Sequence, residues 1–189
     1  MRRLAVAVTM MTALATVGAS GQKDPEGKGP LAVGARMPAL KGDFLSGKDA
    51  VLPDAAAGKV ALVALGFTYD SRFAVEAWVE RFDHRFEGNQ AVTSFQVPMV
   101  GGSARLARWF IDRGMRNNTP KAKHERVMTV YGGTDLWKAR VEYSGPDAAY
   151  LLLLDAKGDV RWRAAGARAV DEAAFQALVA EATALAEAK

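Results

Sequence analysis

The chain has 189 residues, of which 50% are hydrophobic and 24% charged, a balance that fits one globular domain with a sizeable core. It holds no cysteine, which excludes a disulfide framework, a thiolate nucleophile, a dithiol redox couple, cysteine-ligated metal and a cysteine-borne lipid anchor. The formal charge of +4 argues weakly for nucleic acid, because two of the 25 Lys and Arg residues sit in the first three positions and the rest are mixed with acids along most of the chain.

Arg2 and Arg3 precede an apolar run from Leu4 to Val17, followed by Gly18, Ala19 and Ser20. This is the pattern of a secretory leader over residues 1–19, cut after Ala19, and the run is too short for a permanent span. Residues 20–30 follow as a Gly-, Pro- and charge-rich tether. A single domain is then expected over residues 31–189, exported to the periplasm or secreted, with the mitochondrion as the alternative address.

Lys59–Phe67 is a nearly continuous apolar run and predicts a strand buried on both faces. Val75, Trp78, Val79, Phe82 and Phe86 then recur at helical spacing, with Gly88 and Asn89 as the stop. Ala91–Val97 predicts a second strand. Ser103 is placed to cap a helix carrying Leu106, Trp109, Phe110 and Ile111 that runs out at Gly114. Thr119-Pro120 opens a further turn, Val127–Tyr131 a short strand and Thr134–Val141 a short helix. Tyr150–Leu154 and Asp159–Ala164 flank an Asp-Ala-Lys-Gly turn and predict an antiparallel hairpin. A closing helix starts near Asp171, with Phe175, Leu178, Val179, Ala182 and Leu185 lining one side. The order is βαβ followed by ββα, an α/β thioredoxin-like arrangement with a central mixed sheet and helices on both faces.

Two segments carry a family likeness. Val33–Thr68, with its G-x-x-x-P opening, the Gly58-Lys59 pair before the core strand and Phe67-Thr68 at its end, resembles peroxiredoxins, secreted thioredoxin-like proteins and SCO-type copper chaperones. Leu151–Gly166 (LLLLDAKGDVRWRAAG) resembles the hairpin of the same superfamily. The catalytic part of that pattern is missing, since Ser71 stands where the resemblance places a peroxidatic cysteine, and Ala149 where thioredoxins carry a cis-proline. Met99–Gly133 together with the hairpin is closer to the thioredoxin-like family of mitochondrial ATP synthase assembly chaperones (ATPase complex subunit ten type). Gly114-Met115-Arg116, Thr119-Pro120 and Arg161-Trp162 through Gly166 carry that likeness. It implies a non-enzymatic assembly factor without cofactor, whose partner is a protein client such as a membrane-complex subunit.

The candidate binding residues are Tyr69, Asp70 and Ser71 on the loop after the first core strand, extended to Arg113, Met115 and Arg116. Tyr69 offers apolar area and a hydroxyl, and the arginines offer charge-assisted contacts. Ser71 and Asp70 are read as helix caps; the alternative function is an enzyme related to thioredoxins or peroxiredoxins with non-thiol, hydrolytic or peroxidase-like chemistry at Ser71 and Asp70, against which stands the lack of a G-x-S-x-G elbow. The simpler reading of Trp109 and Phe110 buries them and leaves the neighbouring arginines in solvent. His84 and His124 lack a second ligand at helical spacing and read as solvated surface residues. On β-alternation, burial of Trp162 would expose both Arg161 and Arg163.

Overall fold

The computed structural model describes residues 29–188, so the leader and nearly all of the tether lie outside it. The elements in chain order are β1 (Leu40–Phe44), β2 (Asp49–Leu52), β3 (Val60–Gly66), α1 (Ser71–Arg85), β4 (Val92–Val100), α2 (Arg108–Asn118), β5 (Met128–Tyr131), α3 (Thr134–Arg140), β6 (Ala149–Leu154), β7 (Val160–Gly166) and α4 (Glu172–Glu187). The strands form one sheet in the order β2-β1-β5-β4-β3-β6-β7. β3 pairs in parallel with β4 and antiparallel with β6, so the apolar run is the sheet's centre. Its alternate residues serve two cores. Val60, Leu62 and Ala64 face α1 and α4, whereas Ala61, Val63 and Leu65 face the side carrying Trp137 of α3 and the residues of β1 and β2.

The stripe read from the sequence anchors α1: Trp78 and Phe82 are almost wholly buried, each contributing roughly 1.5–3 kcal/mol over leaving it exposed. α4 buries Phe175, Leu178, Val179 and Ala182 on the same layer and is capped by Asp171, whose carboxylate accepts from the Ala174 amide at 2.7 Å. In the hairpin turn, Asp155 Oδ1 accepts from the amides of Lys157 and Asp159, and Gly158 adopts a φ of +89°. Gly166 lies against the indole of Trp78, with no room for a Cβ.

Three expectations change. The β1–β2 hairpin is additional: its short, half-polar strands become legible only through the pairing of β1 with β5. α2 starts at Arg108 after a 3-10 turn over Gly102–Ala107, and it continues through Gly114 to Asn118. Arg161 and Arg163 do not share a face. Leu153 pairs with Trp162 and Leu154 with Val160, so Arg161 is the extra residue of a bulge. It turns to Asp155 and Glu181, while the partly covered Arg163 donates to Leu31 O and pairs with Glu142. The single cis peptide among the described residues is Leu52-Pro53, away from Ala149.

Candidate functional site

The loop leaving β3 is closed by a reciprocal pair. The Ser71 amide donates to Thr68 Oγ1 at 3.0 Å, and the Thr68 amide donates to Ser71 Oγ at 3.1 Å. This is a capping box with serine in the place of the usual Glu or Gln, and the cap is Thr68. Ser71 Oγ also donates to Thr68 O at 2.8 Å, and Thr68 Oγ1 donates to Pro146 O at 2.6 Å, which ties the loop to the segment before β6. The capping role expected of Ser71 and Asp70 is therefore corrected. Asp70 has helical backbone angles (φ −78°, ψ −30°) and its carboxylate makes no cap bond, because a cap needs extended backbone to fold its side chain over the first amides. Ser71 is wholly buried with its hydroxyl committed, an arrangement unsuited to a nucleophile. Pro146 is held in turn by its surroundings: Tyr150 OH accepts from the amides of Ser144 and Gly145, and the rings of Phe67, Tyr143 and Tyr150 pack together.

Between this loop and α2 runs a groove of about 620 Å³. One wall is Phe67–Tyr69, Ser71 and Arg72 with Val75 and Glu76, the other Phe110, Ile111, Gly114, Met115 and Asn118, and the floor is the end of β4 with Pro98, Met99 and Val100. Gly114 lacks a Cβ where one would meet nothing within 4 Å, which widens the groove at mid-wall.

The reason α2 lines a groove instead of closing a core lies in how it is seated. Arg108, Asp112 and Arg116, spaced by four, share one side of the helix. Arg108 pairs with Asp43 at 2.6 Å and with Asp112 at 3.7 Å, Tyr131 OH donates to Asp112 at 2.7 Å, and Arg116 Nε donates to Leu45 O at 2.8 Å. The polar stripe thus meets β1 and β5. Beneath it Thr129 Oγ1 is buried without a hydrogen-bond partner among the described residues. The apolar residues are turned outward: Trp109 is 61% exposed, Phe110 72% and Leu106, in the preceding turn, 92%. This reverses the expectation that the aromatics enter the core.

Of the six residues singled out from sequence, the structure brings Tyr69, Ser71 and Met115 to the groove, with Asp70 exposed on its loop. Tyr69 is 71% exposed, with the Arg72 guanidinium 4.2 Å from its ring centre. Arg113 and Arg116 line a different side of α2. Arg113 lies over Trp109 at 5.3 Å, and Arg116 reaches Leu45. Phe110, Ile111 and Met99 were missed as site residues. The signal that could have found them is the Arg-Asp-Arg stripe, which marks α2 as a helix seated by its polar side. His84 is exposed beside Glu87, whereas His124 is partly buried with its ring nitrogen 2.9 Å from Thr119 O, a correction to its reading as fully solvated.

Solved structures of low identity share the fold. The thioredoxin domain of a thiol-disulfide oxidoreductase from Bacteroides vulgatus is 19% identical with a TM-score of 0.52, covering 79% of this chain and 97% of its own. A peroxiredoxin-like protein from Aquifex aeolicus is 14% identical with a TM-score of 0.52, covering 82% and 88%. BsSco, a member of the Sco family of cytochrome c oxidase assembly proteins, is 10% identical with a TM-score of 0.56, covering 82% and 96%. No curated protein matches the sequence. The fold is thioredoxin-like, and no helix among the described residues is long and apolar enough to cross a membrane. A family model described as ATP10 protein matches residues 34–181. That match spans well over half of the sequence, and the chain belongs to the ATP10 protein family.

Proposed function

We propose that this protein is a non-enzymatic assembly factor that holds an apolar segment of a client protein, a membrane-complex subunit of the ATP synthase type, in the groove between α1 and α2. The observation that carries this reading is the pairing of a sealed serine box, where related folds keep their thiols, with an apolar groove that stays open beside it. Family membership supports an assembly role, and the absence of cysteine closes thiol chemistry. Tyr69 and Met115 are the anchors on opposite walls. The leader read from residues 1–19 makes export the first address of this proposal and the mitochondrion the second.

Photo-crosslinking residues placed singly at Tyr69 and Met115, in cells that express the protein natively, test the reading. A crosslink to a membrane-sector subunit of ATP synthase, absent when the probe is moved to the exposed Gln176 on α4, is expected. Tyr69→Ala with Met115→Ala should weaken capture at least about tenfold without unfolding the domain. Equal crosslinking from Gln176, or unaltered capture by the folded double variant, removes the groove from the account.

A further inference from the structure

The residues from Gly102 to Arg126 hold seven Lys and Arg against two Asp and Glu, a local charge of +5 that exceeds the +4 of the whole chain. The same segment projects Leu106, Trp109 and Phe110 into solvent. Among the described residues no ion pair engages Arg113, which stacks on Trp109, Arg116, which donates to a backbone carbonyl, or Lys121, exposed at the turn after α2. The acids of the seat are used up, since Asp43 and Asp112 both engage Arg108.

We infer that α2 and the turns flanking it dock the protein on an anionic lipid surface, with Leu106, Trp109 and Phe110 entering the headgroup boundary and Arg113 and Lys121 meeting lipid phosphates. This goes beyond client binding, because Leu106 and Trp109 stand outside the groove. The physical fit is specific. Leu106 and Trp109 project beside the groove rather than into it, and a bilayer boundary asks for no pocket. Tryptophan and arginine are the side chains that settle at headgroup level, where a flat apolar ring and a charged tip are satisfied together. Each uncompensated cation adds attraction to an anionic surface that salt weakens. A second copy of this chain is the poorer occupant, because it would set one +5 segment against another. The polar seat helps as well, since α2 needs none of its apolar face to stay in place.

The test uses the whole protein as isolated from its own cells and vesicles of equimolar phosphatidylcholine and phosphatidylglycerol. Trp109 reports directly. Trp78 and Trp137 are buried, Trp162 is half-buried, and residues 1–28 contain no tryptophan. Anionic vesicles should shift the emission to the blue, and Trp109→Phe should abolish the shift. In co-sedimentation, Leu106→Ser with Trp109→Ser should lower partitioning at least about tenfold. Arg113→Gln with Lys121→Gln should lower it by a similar factor and flatten its salt dependence. Both pairs should leave the Tyr69 crosslink in detergent intact, so failure here does not touch the groove. No sedimentation with anionic vesicles, equal partitioning into pure phosphatidylcholine, full displacement by inorganic phosphate, or a dimer through this patch in place of vesicle binding would each overturn the inference.

Discussion

Ser71 shows how one hydroxyl can be spent entirely on structure. Its oxygen accepts from the Thr68 amide and donates to the Thr68 carbonyl at a position without solvent access. Ser71→Ala removes both bonds to the Thr68 backbone, a part-buried loop contact whose loss costs about 1 kcal/mol. The urea midpoint should therefore drop, with capture by the surviving folded fraction unchanged; an unshifted midpoint would show that water replaces the hydroxyl there. Spacing in the sequence located Ser71 at a helix start but assigned the cap to the wrong residue. Thr68 takes that role only because Asp70 already has helical backbone angles.

At the scale of elements, α1, β3 and α4 follow from their patterns, because each buries a full stripe or face against the sheet. α2 does not. Its amphipathic pattern is strong, but the polar side finds Asp43, Tyr131 and Leu45 and so becomes the inner one. Tyr131 reports on this seat. Burial first, and then its hydrogen bond to Asp112, raise its pKa well above the ordinary tyrosine value. A tyrosine freed by unfolding ionises near pH 10 whereas the native phenol keeps its proton, so this contribution is intact below about pH 10 and is lost as pH rises toward the native value. Denaturation between about pH 9 and 11 should show falling stability, and Tyr131→Phe should flatten that slope while lowering stability near neutrality, where Asp112 loses a donor. A slope identical in both proteins would assign the alkaline loss to other groups.

For the whole molecule, the export proposal rests on residues 1–19, and the mature protein should begin at Ser20 or within a few residues of it. Intact-mass measurement on the native protein checks this, and a chain starting at Met1 in the soluble cytoplasm would contradict it. The amino-acid sequence by itself determined the βαβ-ββα order, the central buried strand, the hairpin and the exclusion of thiol chemistry, because apolar periodicity, turn residues and the absence of an element are local facts. Only the tertiary structure decided that Trp109 and Phe110 face outward, that Arg161 and Arg163 part at a bulge, and that Tyr69 and Met115 share a groove while Arg113 and Arg116 leave it. Periodicity shows that a helix has two unlike sides. Which side turns inward depends on partners such as Asp43 and Tyr131, which are distant along the chain and meet α2 only once the sheet has formed.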